Sequence, residues 1–346
     1  MLAPMAELSH RALRELIHGF FASINKQYGS GSPPAFQAKD VVYFTEMISA
    51  PGLLANGPFE KWYLENGPCP QQLVYQLVGS DADQLVKAAA LLDRKECFGI
   101  DINMGCSAPA ITRTGAGVRW MESPDKAAGL IERIRRITKK QLSVKIRLCP
   151  KTGRKNNFFH ETPDNKTKIN SLQELPFLLR FCRSLEDAGL DLIILHPRRA
   201  EEKFKRRARW EYVEALRKEL TIPIAGNGDI DSTEELFGKA ADGPVMAGRF
   251  LVRQPWAFAA VSIFSESTPN NSPKNNLKIN IEETGLRFLE LLARYQPLEF
   301  HLSRAFRFFR YFCGNAAWAE HLRNIINRQE SLAGIEKVWR EYFAKR

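Results

Sequence analysis

Cysteines at ligand spacing are missing from this sequence. Its six cysteines stand apart, with no CxxC pair and no histidines set close by, so neither a zinc site nor a disulfide framework is expected. Thiols left unpaired fit a reducing cytoplasm. No run reaches the about 18 apolar residues that a spanning helix needs, and Glu7, Arg11 and Arg14 interrupt any apolar core near the start. Neither a membrane span nor a secretory signal is therefore expected. Acidic residues are also in deficit, 39 against 50 Lys and Arg, which leaves a formal charge of +11. That excess suits a polyanion or an anionic cofactor, although net charge speaks only to nonspecific attraction. The 346 residues exceed one ordinary core, which predicts a large domain and a smaller one.

What is present is an alternation of short apolar runs with helical patterning. Strands are expected at 1–5, 41–44 continuing to Glu46, 72–77, 97–103, 142–147, 192–196, 222–226 and 244–247. Helices are expected from a Ser9 cap to Ile24, from Asp83 to Leu92 behind Asp81, from Ser123-Pro124 to about Lys140, from Leu172 to Ala188, and behind Ser232. Eight strands alternating with helices predict an α/β fold, a (β/α)8 TIM barrel. The polar, basic stretch 149–171 reads as a long exposed loop at the barrel's active end. Residues 263–278 are rich in Ser, Pro and Asn and read as a linker. Only helical patterning follows, so the barrel is assigned to 1–262 and a small C-terminal helical bundle to 279–346.

Each expected strand closes on a polar or sulfur side chain: Met5, Glu46, Gln76, Asn103, Lys145, His196, Asn227 and Arg249. Barrel rims at that end collect catalytic groups, so the pattern points to an enzyme. Cys97, Cys149, Cys182 and Cys313 read as small buried apolar side chains. Cys106 instead sits in a loop with Gly105 and Ser107, where a thiol can do chemistry. Asn227-Gly228-Asp229 is by itself an ordinary turn. Together with Gly248-Arg249 at the next strand end it predicts a phosphate cradle. Lys145 reads either as a nucleophile or as the partner of an anion; His196 alone decides nothing.

In order along the chain, the blocks Ala3-Pro4-Met5, Thr45-Glu46-Met47, Gln76-Leu77-Val78-Gly79, Asp101-Ile102-Asn103-Met104-Gly105-Cys106, Val144-Lys145-Ile146-Arg147, His196-Pro197-Arg198, Asn227-Gly228-Asp229 and Met246-Ala247-Gly248-Arg249 resemble the tRNA-dihydrouridine synthases. The resemblance implies a flavin (FMN) reduced by NADPH, with NADH the other candidate reductant, which passes hydride to C6 of a uracil in tRNA. Cys106 would be the catalytic general acid at C5. Pro4, Met5, Ala6 and Gln76 would flank the flavin ring, Lys145 and His196 would stabilise its reduced form, and Asn227, Gly228, Asp229, Gly248 and Arg249 would hold its phosphate. Asn103, Arg147 and Arg198 would hold the uracil. The alternative is an FMN barrel reductase acting on a free small molecule.

The chain departs from the family pattern in three places. Ser107 follows the cysteine where the family has proline, the proline being displaced to Pro109. Pro197 replaces a glycine after His196, and the stretch 149–171 is longer than usual. None removes a proposed catalytic side chain.

Two basic stretches suit RNA. Arg198, Arg199, Lys203, Lys205, Arg206, Arg207 and Arg209 face only Glu201 and Glu202, a phosphate-backbone footprint or simply a solvated helix face. In the tail Arg304, Arg307 and Arg310 recur every third residue among aromatics; the aromatics are expected in the core and the arginines on the RNA. The expected partner is tRNA, without membrane or metal, and the protein is expected to be a monomer.

Overall fold

The computed structural model describes residues 1–28, 37–148, 172–202, 205–262 and 278–345. Seven parallel strands form one curled sheet whose spatial order is their order in the chain. They are β1 (Tyr43–Ser49), β2 (Leu73–Val78), β3 (Gly99–Met104), β4 (Gln141–Arg147), β5 (Leu192–His196), β6 (Ile224–Asn227) and β7 (Val245–Met246). Parallel neighbours need a crossover, and most crossovers are helical. α1 (Arg11–Tyr28) precedes β1, and α2 (Ala82–Asp93), α3 (Pro124–Arg135), α4 (Leu175–Asp187), α5 (Glu211–Glu219) and α6 (Thr233–Ala241) follow β2 to β6 in turn. Asp81 and Ser232 cap α2 and α6 as expected, accepting from the amides of Gln84 and Glu235.

The N-terminal segment touches both edges of the sheet. Leu2 bridges Tyr43 of β1 and Ala247 just past β7, with the Leu2 amide donating to Val42 at 2.9 Å and the Ala3 amide to Ala247 at 2.8 Å. The first expected strand is thus a single bridging residue, Leu2, rather than a run over 1–5. Pro4 has no amide to donate, and the Met5 amide turns away to the Ser9 hydroxyl at 2.8 Å. Helix α3 stops at Arg135, short of the expected Lys140. There the Arg135 guanidinium folds back onto the carbonyls of Thr138 and Lys140 at 2.5 and 2.7 Å, holding that stretch as a turn.

Side chains alternate across the sheet with the strand period of two. Ile193 and Leu195 of β5 join the large apolar cluster beneath the helices, whereas Leu192 and Ile194 join Phe44, Val74, Ala225 and Met246 on the other face. Toward the carboxyl ends the same alternation brings Glu46, Gln76, Asp101, Asn103, Ser143, Lys145, His196 and Asn227 onto that second face. An apolar floor with polar groups at one end is what positions the site.

Four helices end the chain: α7 (Ile281–Tyr295), α8 (Leu298–Phe312), α9 (Ala319–Ile326) and α10 (Leu332–Ala344). Their core is aromatic, with Phe288 stacked on Phe308 at 3.6 Å between centroids and Phe309 and Phe312 packed against Trp339. The buried Trp339 indole donates to the Glu282 carbonyl at 2.9 Å. Helix α7 packs on α1, and these side chains belong to the same apolar cluster as the sheet-covering helices. The expected loop at 149–171 and residues 263–277 of the expected linker lie outside the described residues. Among the described residues no helix is long and apolar enough to cross a membrane.

Candidate active site

A chain of buried hydrogen bonds crosses three strands beneath the Cys106 loop. Register sets Gln76 of β2 beside Asp101 of β3, and Asp101 beside Ser143 of β4. Asp101 accepts from the Gln76 amide nitrogen at 2.7 Å and from the Ser143 hydroxyl at 2.6 Å. Burial pushes its carboxyl up to about 6, against those two bonds. The Gln76 amide oxygen in turn accepts from Asn103 Nδ2 at 2.9 Å, and Asn103 Oδ1 accepts the amides of Gly105 and Cys106 at 3.3 and 2.9 Å. Buried polar groups left unpaired are costly, so each link fixes the next, and the last fixes the backbone that carries the thiol. On the far side the Cys106 carbonyl accepts from the Val118 amide at 3.0 Å. Gly117, at φ +65°, lies so close that a Cβ there would come within 2.4 Å of that carbonyl. Pro109, the displaced proline, opens a short helix (Pro109–Thr112) beyond the loop.

Beside this loop is a cavity of about 190 Å³ lined by Ala3, Pro4, Met5, Lys145, Arg147, His196, Arg198, residues 227–231, residues 246–249 and Phe250. Arg147 joins the two features: its Nε donates to the Gly105 carbonyl at 2.8 Å, while its Nη1 is buried without a protein partner among the described residues. Lys145 is half-buried, and burial, then Arg147, lowers its ammonium to about 8. His196 Nε2 lies 3.1 Å from Arg198 Nη1. A guanidinium can only donate, so that nitrogen is the acceptor and the ring is neutral. Burial, followed by Lys145, Arg147, Arg198 and Arg249, holds His196 well below the usual imidazole range.

Asp229, in the left-handed region at φ 51°, is ion-paired with Arg198 and accepts from the Ala208 amide at 2.6 Å. Burial raises its carboxyl, but these bonds outweigh that and lower it overall. Gly228, at φ +120°, packs against His196, and the Asn227 side chain donates to the Met246 carbonyl at 2.8 Å. Four cations of the lining face two carboxylates, Asp229 and Asp231. The balance and the orphaned Arg147 nitrogen fit an anionic ligand.

Most of the expected site residues therefore meet in two adjoining features. Pro4, Met5, Lys145, Arg147, His196, Arg198, Asn227, Gly228, Asp229, Gly248 and Arg249 line the cavity, while Gln76, Asn103 and Cys106 form the hydrogen-bonded loop support. Ala6 is exposed and outside the lining. Arg304 corrects an expectation. It is 2% exposed, paired with Glu46 at 2.9 Å and bonded to Gln296, so it is not on the surface where RNA would meet it. Residues three apart on a helix differ by about 60° in direction, enough to turn Arg304 inward while Arg307 and Arg310 stay exposed. The run from Arg198 is likewise divided. Arg199 pairs with Glu174 and Arg209 with Glu202, Lys205, Arg206 and Arg207 are exposed, and Lys203 lies outside the described residues.

Asp101 and Ser143 were missed as site residues, although polar residues at every second position of an apolar strand are a readable signal. Asp231 and Phe250 carry no such signal. Among the described residues no group of three or more His, Cys, Asp or Glu side chains is placed to hold a metal.

Several relatives align with this sequence over most of its length. A probable tRNA-dihydrouridine synthase of Aquifex aeolicus is 28% identical over 267 residues, 75% of this chain and 71% of its own. The tRNA-dihydrouridine synthase B of Pasteurella multocida is 27% identical over 285 residues, 81% of this chain and 74% of its own. A probable tRNA-dihydrouridine synthase 1 of Synechocystis is 26% identical over 302 residues, 85% and 78%. The family model described as Dihydrouridine synthase (Dus) matches residues 1–160 and 162–344. With nearly its whole length matched, and with the Cys106 loop and the cationic cavity side by side at the strand ends, this chain belongs to the dihydrouridine synthase family.

Proposed function

We propose that this protein reduces the C5–C6 double bond of uridine in tRNA to 5,6-dihydrouridine, with FMN as its flavin and NADPH as reductant. The observation that carries the reading is a cavity with excess positive charge adjoining a loop that presents one thiol. The names of the relatives point the same way. We read the double bridging by Leu2 as the closure of an eight-stave barrel over 1–262, with 263–278 a linker and 279–346 a helical tRNA-binding domain. The enzyme would act as a cytoplasmic monomer.

The lining suits the phosphate-bearing end of FMN. A phosphate monoester carries about −1.5 to −2 charge at neutral pH, close to the excess left by Lys145, Arg147, Arg198 and Arg249 over Asp229 and Asp231. The cavity of about 190 Å³ is below the about 300–1,000 Å³ of whole-ligand clefts, so it accommodates part of the cofactor. Asn227, Gly228, Gly248 and Arg249 would hold the phosphate, with Pro4 and Met5 along the ring. When bound and reduced, the flavin supplies hydride to C6.

This chain's own groups do the rest. Cys106 delivers the proton to C5, its position set by Asn103. Lys145 supplies positive charge near the anion that forms, and neutral His196 serves as a hydrogen-bond donor through Nδ1. Arg147 and Asn103 orient the uracil, and Arg198 is held beside them by Asp229. Preorganised donors of this kind act where charge develops. A target base must leave its stack to reach the cavity, and the exposed Arg307 and Arg310, with Lys205, Arg206 and Arg207, hold the RNA. The test is to incubate purified protein with FMN, NADPH and unmodified tRNA and to measure dihydrouridine by mass spectrometry. Product on tRNA but not on free uridine is expected; turnover of free uridine alone would favour the small-molecule reading.

A further inference from the structure

Helix α8 reaches back to the cavity through one residue of the N-terminal turn. Glu7 sits in the left-handed region at φ 62°, two residues after the cavity-lining Met5, and is held at its amide by Glu46 of β1 and at its carboxylate by α8. Its amide donates to Glu46 Oε1 at 2.5 Å, and the same Glu46 carboxylate pairs with the buried Arg304 at 2.9 Å. Its own carboxylate accepts from Nε and Nη2 of Arg307, one turn further along, at 2.9 and 2.5 Å. The turn is closed inside by Ser9, whose hydroxyl accepts from the Met5 amide at 2.8 Å and whose amide donates to the Met5 carbonyl at 3.0 Å.

The two holds differ in kind. The Arg304–Glu46 pair is buried, its side chains 2% and 4% exposed. The Arg307–Glu7 pair is 43% and 39% exposed and forms part of the wall of a groove of about 590 Å³ that Arg310 and Arg323 also line. Exposed ion pairs are weak and easily exchanged, and a phosphate competes well for an arginine through paired hydrogen bonds.

We propose that Glu7 is a positioning residue that ties the Pro4–Met5 wall of the cavity to α8, and that an RNA phosphate taking Arg307 releases it. The proposal rests on the tRNA reading above and names how the RNA-binding face acts on the cofactor cavity. With Arg307 on RNA, Glu7 keeps only its amide contact to Glu46, and the turn, still closed inside by Ser9, is tied to the elements around it through Glu7 at one point instead of two. The Met5 segment then loosens. Coupling between two ligands is reciprocal, so tRNA weakens FMN binding by the factor by which FMN weakens tRNA binding. The strength of an exposed pair limits that factor to about two- to five-fold.

The test combines deuterium uptake by residues 3–9 of the flavin-free protein, with and without unmodified tRNA, and FMN affinity from flavin fluorescence under the same two conditions. In the wild type, tRNA is expected to raise uptake in that segment and weaken FMN two- to five-fold. Glu7→Gln should show the raised uptake and weakened FMN without tRNA, and no further response to it. Arg307→Met, which removes the other partner and leaves the turn's own residues intact, should behave alike, and Arg307→Lys should restore part of the response. If wild-type protein binds tRNA while the segment and the FMN affinity stay unchanged, or if Glu7→Gln responds like wild type, the positioning role is overturned. If wild-type protein does not bind tRNA at all, the underlying functional reading fails, and this proposal fails with it.

Discussion

Asn103 holds the backbone of Cys106 through one side-chain oxygen, which accepts the Cys106 amide at 2.9 Å, while its nitrogen donates to Gln76 at 2.9 Å. One residue on β3 therefore joins the buried Asp101–Gln76–Ser143 network to the thiol. Asn103→Ala takes their Asn103 partner from the Gln76 oxygen and from the amides of Gly105 and Cys106, a loss of about 1–3 kcal/mol for each group left unpaired. Urea unfolding should show it, and dihydrouridine formation should fall by at least ten-fold because the thiol is no longer aimed. Full activity with lowered stability would separate the network from the chemistry.

Cys106→Ala removes the proposed proton donor and leaves the cavity lining untouched. The variant should bind FMN and oxidise NADPH as the wild type does, yet lose most dihydrouridine formation, on the order of 10²–10⁴-fold for a general acid. Mass spectrometry of the treated tRNA decides it. An unchanged yield would take the role away from this cysteine.

The ammonium of Lys145 gives the cavity a pH response. Its value of about 8 in the fold is below the about 10.4 of an unfolded chain, so the folded state binds its proton less well. The resulting cost to stability is complete below about pH 8 and fades as pH rises toward about 10.4. Lys145→Met should raise the Tm of flavin-free protein at pH 7, the gain shrinking across that range. In the proposed function the charge helps to hold the anionic FMN, so wild-type affinity should fall as pH rises through about 8 and the variant's profile should be flatter there. Fluorescence titrations at several pH values provide the comparison.

Arg304 and Arg307 look equivalent in the sequence and should behave oppositely. Arg304→Met leaves the buried Glu46 without its ion-pair partner, and burial already pushes that carboxyl up against the pull of Arg304; removing one partner of such a pair costs about 3–5 kcal/mol. Arg307→Glu breaks an exposed pair worth about 1 kcal/mol or less. It should weaken tRNA binding and reduce its salt dependence by about one phosphate contact. Urea midpoints and filter binding at two salt concentrations separate the two; equal loss of RNA binding with equal stability would contradict the buried placement of Arg304.

Much of the fold was readable because strand and helix periods are written locally. Seven of the eight expected strands are present within a few residues of their expected ends, and the caps at Asp81 and Ser232 are where residue type placed them. The first strand was misjudged because Pro4 and the turn toward Ser9 compete with pairing, and that competition depends on where Ser9 lies in space.

The cavity was legible to the extent that polar residues at strand ends share a rim. Ala6 and Arg304 were not separable from their neighbours on that basis. A chain position specifies a direction only within its own element, and whether that direction meets solvent or another element depends on packing.

By itself the sequence determined the alternation of strands and helices, the placement of a thiol and a lysine at strand ends, and the excess of positive charge, since these follow from residue type and spacing. Tertiary structure alone decided that Asp101 supports Asn103 through Gln76, that Arg198 is held by Asp229, and that two arginines of one helix divide between a buried carboxylate and an exposed one. Hydrogen bonds and ion pairs act over a few ångströms, and residues as far apart as Glu7 and Arg307 come within that range only when the chain has folded.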